Sequence, residues 1–489
     1  MNKHTLARTV LALTASVALL SACAGERGAD PSGGAGTGGT GAAAADTLTV
    51  DKFGTLDSPC GEGDATGATD QGVTDTEIRI GYGDDRGYAK SPGLNKEMSD
   101  AVSAMIDWCN AQGGINGRTI VGTDYDAAMT QANSVMQDAC RSEFMMVGHG
   151  FAMDQTAEQT RVACNLAAVP GFTVSPEAAN GPMTYQGVPF PVDYANGSAW
   201  FQLAQLRPDL KDKFDLVGST MPTIVTSLTK VRSIAEAAGF ELKNCGVTIN
   251  YDGEASYVPF AEKFKECGVE GLWTSRSPVP NELNFFKALG QVGIDPVLMG
   301  EATWYGETVK EANAGGLLDN LYAGMGFQML ENADKVPAVQ QYVDLVEEQG
   351  GKTALLGMQA TSSFLLWATA AKECGSDLTR QCMIDELSQI HEWDGGGLHA
   401  VTDPGANMPA KCGLMVSLKG DAYTQAFPQS SGEFECNDEY LVATAPETWG
   451  TELGPDRIAT KFMNPPAGRC PRGTAPPPHD RFSTDRASP

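Results

Sequence analysis

Residues 76–121 read TEIRIGYGDDRGYAKSPGLNKEMSDAVSAMIDWCNAQGGINGRTIV. Ile78-Arg79-Ile80-Gly81 reads as a strand. Met98, Ala101, Val102, Met105, Ile106 and Cys109 follow, mostly three or four residues apart, which places them on one face of a helix. Gly113-Gly114 supplies the left-handed backbone at which a helix ends, and a second strand surrounds Thr119 to Val121. Strand, helix, strand is the unit from which parallel sheets with helices on both faces are built.

The same grammar continues along the chain. A helical pattern with Ala132, Val135, Met136 and Ala139 leads to the buried strand Phe144-Met145-Met146-Val147-Gly148. A helix near Thr156 to Leu166 leads to a strand at Ala168 to Val174. The pattern then restarts: Phe214 to Gly218 is a strand, Leu228, Val231, Ile234, Ala235 and Ala238 mark a helix, and Gly246 to Ile249 is the next strand. Helices carrying Phe260 and Phe264, and then Leu283, Phe286, Ala288 and Leu289, separate strands at Gly271 to Thr274, Pro296 to Met299 and Leu321 to Gly326. Two blocks of similar length, about 73–193 and 194–324, predict an α/β protein of two doubly wound parallel-sheet lobes. The rest, Val336 to about Trp449, is expected to return and complete both. Ligands of open α/β sheets bind outside the carboxyl ends of the strands. Two such sheets share a cleft, and closure about a multi-strand hinge over a solute is its natural use. Hinges are expected near 193–197, near 324–327 and after Gly413. The lobe boundaries that follow are 73–193 plus about 328–412, and 194–327 plus about 413–450.

The ends of the chain speak to compartment. Lys3 and Arg8 precede an uncharged apolar run, Val10 to Leu20. It is too short to span ~30 Å of hydrocarbon as a helix but suits the core of a signal peptide. The run closes on Leu20-Ser21-Ala22-Cys23, which resembles a bacterial lipobox. Residues 1–22 are therefore expected to be a lipoprotein signal peptide, with Cys23 lipidated on the outer face of the cytoplasmic membrane. Ala24 to Ala45 is mostly Gly, Ala, Ser and Thr, a composition that cannot offset the entropy of ordering it. Residues 23–72 as a whole are expected to be a flexible tether and N-terminal extension, and 465–489, with Pro476-Pro477-Pro478, a disordered tail. Between them lie roughly 390 residues of globular composition, more than one core usually serves. Losing Lys3 and Arg8 takes the formal charge from −27 to −29. So acidic a surface argues against nucleic acid as a partner.

Twelve cysteines are present, and eleven remain once Cys23 is set aside. An exported chain should pair most of them. The favoured pairs are Cys245–Cys267, Cys374–Cys382 and Cys412–Cys436, each short-range, and Cys140–Cys164 is also plausible because both would end neighbouring helices on one sheet face. Cys60, Cys109 and Cys470 are left over. No CxxC pair occurs, which argues against a structural zinc site, and no cofactor is called for.

Several segments resemble the periplasmic leucine/isoleucine/valine-binding protein family, type 1 solute receptors of branched-chain amino-acid-type ABC importers. Ala111 to Gly117, AQGGING, resembles the family's turn after the first helix. Val147-Gly148-His149 resembles the strand end that opens onto the ligand, and Thr173-Val174-Ser175-Pro176-Glu177 falls at the family's Ser/Thr-rich strand end. Asp252 to Gly300, with Phe260, Phe264, Phe285-Phe286, Gly290, Gly293 and Leu298-Met299-Gly300, follows the second-lobe pattern. Gly395-Gly396-Gly397-Leu398 resembles a late strand of the first lobe. The likeness spans roughly 73–420.

That resemblance implies a monomeric receptor that closes over a small polar solute, an amino acid, amide or related carboxylate, and docks on an ABC permease with cytoplasmic ATPases. Hydroxyls and amides at the two first-lobe strand ends, represented by Thr173 and Ser175, would hold a carboxylate. Glu301, just after the second-lobe "MG" strand, would meet an ammonium. Where the family has small hydroxyl residues this chain has Phe151-Ala152-Met153-Asp154, and Asp154 would repel a carboxylate. Asp85, Arg86 and Tyr88 follow the first strand, Arg276 follows the strand Gly271 to Thr274 and could clamp an anion, and Tyr88, Trp304 and Tyr305 could stack on a solute. The ligand set expected is therefore Glu301, Asp85, Arg86, Tyr88, His149, Phe151, Asp154, Thr173, Ser175, Arg276 and Trp304.

Plainer alternatives exist for most of these. Asp84, Asp85 and Arg86 form a solvated loop with an internal ion pair in one reading, Arg276 pairs with Glu282, His149 is a hydrogen-bonded strand end, and Trp304 packs under the second lobe. Gly81 to Gly87 faintly resembles a dinucleotide loop, but its third glycine is one residue late and its carboxylates would repel a pyrophosphate. A hydrolase is the remote alternative: no GxSxG or HExxH occurs among the 489 residues, so no catalytic residue is nominated. A lipoprotein of the same fold that reports closure to a membrane signalling partner is the nearer one.

Overall fold

The computed structural model describes residues 51–274, 278–446 and 449–463. The signal peptide and Cys23, most of the tether, Arg276, Cys470 and the tail at 465–489 lie outside them. Among the described residues no helix is long and apolar enough to cross a membrane.

Two sheets organise the chain. The first is wholly parallel and runs Thr119–Asp126, Glu77–Asp84, Met145–Val147, Ala167–Val169 from edge to edge. Its connections are the helices Lys96–Ala111, Ala132–Ser142 and Glu158–Ala163. The first helix buries the periodic face, Met98, Ala101, Val102, Met105, Ile106 and Cys109, and the two glycines beyond it both adopt positive φ. Gly148 ends the third strand at φ +68°, where a Cβ would meet Val102 at 2.4 Å. Helix Leu355–Cys374, buried along most of its length, comes back from the last third of the chain to pack beside the first helix.

The second sheet holds Phe214–Leu216, Gly271–Thr274, Val297–Gly300 and Leu321–Met325 in parallel, in that spatial order. Every residue of Gly271–Thr274 and Val297–Gly300 is buried, as expected of parallel strands covered on both faces. Cys412–Lys419 and Ala422–Phe427 extend it antiparallel.

Among the described residues five disulfides are formed: Cys245–Cys267, Cys374–Cys382 and Cys412–Cys436 as favoured, Cys140–Cys164 as the plausible fourth, and Cys60–Cys109 from the residues left over. The last one corrects the reading of 23–72 as flexible tether throughout. Residues 51–72 are folded onto the first lobe: Lys52–Phe53 and Leu56–Asp57 pair, and Phe53 is fully buried edge-on to Trp108 at 5.7 Å. Arg118, 1% exposed, ties the segment down by donating to the carbonyls of Thr66, Gly67, Thr74 and Gly375 at 2.8–3.2 Å. A few anchoring residues carry this packing, so no periodicity advertises it.

The same segment displaces another expectation. Gly395, Gly396 and Gly397 form a turn of three consecutive positive φ values, 63°, 76° and 99°, and not a strand. Thr55 N donates to Gly396 O at 2.9 Å, and a Cβ on Gly396 would meet Phe53 O at 2.4 Å.

The chain crosses between lobes near Asp193, near Gly326 and just before Cys412, close to the expected hinges. Tyr194–Asn196 pairs antiparallel with Leu441–Ala443, while Gln328 N to Leu398 O and Ala400 N to Gly326 O, at 2.9 and 2.8 Å, brace the middle crossing. A fourth crossing was not expected. After Ala443 the chain returns to the first lobe, where Thr444 N bonds Asp193 O, Ala459 N bonds Asn180 O, and Arg457 grips the Asp193 carboxylate at 2.6 and 2.8 Å. Residues 444–446 and 449–463 thus belong with the first lobe, not with the second-lobe segment 413–450.

Candidate functional site

A cavity of about 330 Å³ lies where the carboxyl ends of both sheets face each other. From the first lobe come Ala152, beyond Met145–Val147, and Phe172-Thr173-Val174, beyond Ala167–Val169. From the second come Met299 to Thr303 at the end of Val297–Gly300, Gly324 to Gly326 at the end of Leu321–Met325, and the helix Pro222–Ala237 through Ile224, Ser227, Lys230, Val231 and Ile234. Asn196, Ser198 and Trp200 of the first crossing form its floor. This is the placement the parallel-sheet rule requires.

The walls are mostly apolar, with Phe172, Val188, Phe190, Trp200, Met221 and Trp273 prominent. Among the described lining residues only Lys230 and Glu301 carry charge. Lys230 is 4% exposed; its Nζ donates to Pro191 O at 2.6 Å and stands 3.3 Å from the centre of the Phe190 ring. Burial pulls its pKa down to about 7, against the opposing pull of Glu301 and Asp193. Glu301 follows the strand directly, and burial pushes it up to about 7 against the attraction of Lys230.

At the outer edge, Met129 of the first lobe meets Met221 and Ile224 of the second, with Tyr88, Leu94 and Tyr251 packed against them. Lys90 and Asp252 form an ion pair across the same seam. The lobes are therefore closed on one another.

Of the residues nominated from sequence, Glu301 and Thr173 line the cavity. Thr173 Oγ1 bonds Gln186 Oε1 at 3.1 Å. The others are placed elsewhere, each for a visible reason. Asp154 accepts from the amides of Val174 and Ser175, at 2.7 and 3.0 Å, so it clamps the loop carrying Thr173 from behind; burial pushes it up to about 7. Ser175 caps the short helix Pro176–Ala179. Asp85 accepts from Met129 N and Ala152 N, both at 2.7 Å. Arg86 pairs with Asp84 and Asp124 at 3.1 and 2.8 Å, the expected ion pair, but Asp84 and Asp85 are fully buried and not solvated. Tyr88 belongs to the outer seam. His149, pushed down to about 3 by burial, and Phe151 stack at 5.3 Å in the first-lobe interior. Trp304 is fully buried against Phe286 at 5.5 Å, and Tyr305 bonds Glu331. Arg276 lies outside the described residues.

Lys230 escaped the sequence reading. Its signal was present: Ser227, Lys230, Val231 and Ile234 share one helical face, so a lysine stands in an apolar stripe. The aromatic lining residues Phe172 and Phe190 lie in loops, where no periodicity marks them, and Trp200 lies in the helix Ser198–Leu206 just after the first crossing.

A family model described as periplasmic binding protein matches residues 77–422. Among similar solved structures is a fatty acid ABC transporter substrate-binding protein from Thermomonospora curvata, 14% identical, with a TM-score of 0.62 over 78% of this chain and 97% of that one. Another is the branched-chain amino acid transporter substrate-binding protein of Streptococcus pneumoniae in complex with isoleucine, 15% identical, TM-score 0.58, covering 72% and 99%. A third is an R. palustris solute-binding protein in complex with 4-hydroxybenzoate, 13% identical, TM-score 0.57, covering 75% and 95%. None of the curated proteins matches this chain.

Proposed function

The chain belongs to the periplasmic binding protein family, and from that premise we propose that it is the extracytoplasmic receptor of an ABC importer. It captures a small solute with one polar end, an amino acid, amide or carboxylate, and presents its closed form to a permease. It acts by binding, not by chemistry. The observation that carries this reading is the cavity itself, enclosed between two sheet ends whose outer seam is sealed by Met129, Met221 and Ile224. A solute that fits both walls favours the closed form by its differential affinity for that form alone. The similar structures solved with isoleucine and with 4-hydroxybenzoate each hold a solute that carries a carboxylate on an apolar body. A lipid at Cys23 would keep the receptor beside its permease.

Thermal melting of the purified protein against a panel of amino acids, amides and carboxylates tests the reading. A ligand at ~1,000 times its dissociation constant adds about 4 kcal/mol, a shift of several degrees. A panel that leaves the melting point unmoved in every class counts against capture of such a solute.

A further inference from the structure

We propose that the cleft selects an organic anion: a monocarboxylic acid with a bulky apolar body and no ammonium, its carboxylate paired with Lys230 and its body packed on Phe172, Phe190 and Trp200. This narrows the receptor reading above and rests on it.

The two charged lining groups are not equivalent. Lys230 is solvated as a cation by the protein, through the Pro191 carbonyl at 2.6 Å and the face of the Phe190 ring at 3.3 Å. An ammonium has three N–H donors, and among the described residues one is used. Glu301 has no such support. Among the described residues no N–H or O–H donates to its carboxylate, and it caps no helix through its side chain. A half-buried carboxylate that accepts no hydrogen bond from the protein is poorly supported as an anion, in line with the rise of Glu301 to about 7. Asp193, the other acid that acts on Lys230, is held by Arg457 at 2.6 and 2.8 Å. Below about pH 7 the cleft therefore offers one cation and one neutral acid, both donors.

A solute carboxylate accepts from both groups and brings the charge to zero. A solute ammonium has to ionise Glu301 and then sit beside Lys230, a like charge in a poorly screened space. The remaining polar lining residues, Thr173, Gln186, Ser198, Thr303 and Gln359 among them, are neutral and can orient a substituent without altering this balance.

Two trios of probes that differ only in their head group test it by titration calorimetry on the purified protein: 3-phenylpropanoate, phenylalanine and 2-phenylethylamine; and 4-methylpentanoate, leucine and 3-methylbutylamine. In at least one trio the acid should bind ten times or more tightly than its amino acid, and neither amine should bind. An amino acid that outbinds its acid overturns the inference and leaves the receptor standing. Silence from both trios also overturns it, while the wider panel still tests the receptor. Lys230→Met should lose at least tenfold in affinity for the acid, whereas Glu301→Gln, which keeps a donor and removes the charge, should hold or raise it. Loss of acid binding in Glu301→Gln with an unchanged melting point of the free protein overturns the assignment, and this second variant decides the matter even where Lys230→Met does not fold.

Discussion

Lys230 Nζ donates a 2.6 Å hydrogen bond to the backbone oxygen of Pro191. Lys230 stands on a helix of the second lobe and Pro191 on the segment that leaves the first, so the cation lining the cleft also fastens one lobe to the other. Recognition of charge and closure of the lobes meet at one side chain.

Affinity for an acid should depend on pH, and the sign follows from two groups. Lys230, held down to about 7 from 10.5, loses positive charge as pH rises through 7. Glu301, pushed up to about 7 from 4.5, gains negative charge over the same range. Both changes drive an anion out, so binding takes up protons above pH 7. Calorimetry should show affinity falling about tenfold or more between pH 6 and pH 8. An affinity that is level across this window speaks against the pairing with Lys230.

Asp154 does not line the cavity, yet its loss should weaken binding. Asp154→Ala strips the Val174 and Ser175 amides of their acceptor, and buried N–H groups left unpaired cost about 1–3 kcal/mol each. Denaturant unfolding should show that loss, together with a several-fold drop in solute affinity as the loop carrying Thr173 loosens. Wild-type stability would mean that the clamp is dispensable.

The Cys60–Cys109 disulfide joins the N-terminal extension to the first helix. Replacing both cysteines by Ser should cost about 2–4 kcal/mol of stability. Hydrogen exchange should then rise across 51–72, around Phe53 above all. Unchanged protection there would show that Arg118 and the Phe53 contact hold the segment unaided.

Arg457 clasps Asp193 at the first crossing through two hydrogen bonds. Charge-assisted pairs of this kind contribute about 1.5–3 kcal/mol when shielded and less when exposed. With Arg457 partly exposed, Arg457→Ala should lower stability by about 1 kcal/mol and make residues 449–463 susceptible to limited proteolysis. Resistance equal to wild type would assign the attachment of this segment to the Ala459 N–Asn180 O bond and to Lys461, which pairs with Glu177 at 2.7 Å, instead.

The parallel-sheet architecture was legible because it is written in local patterns. The stripe Met98 to Cys109, the uniformly apolar strands at 271–274 and 297–300 and the Gly113-Gly114 stop each report one face of one element; three disulfides were favoured from short spacings, and a fourth was plausible from two neighbouring helix ends. Glu301 and Thr173 were legible for a related reason, since carboxyl ends of parallel strands point at the cleft whatever the rest of the chain does. The folded extension at 51–72, the fourth crossing and the cation of the site were decided only in three dimensions. Phe53 packs on Trp108, 55 residues away, Arg457 reaches Asp193 across 264, and Lys230 acquires its character from Pro191 and Phe190, about 40 residues upstream. Periodicity records what a residue's own helix or strand turns inward. It does not record which distant backbone oxygen or aromatic ring will meet a side chain there, and that meeting sets how a buried lysine is held as a cation.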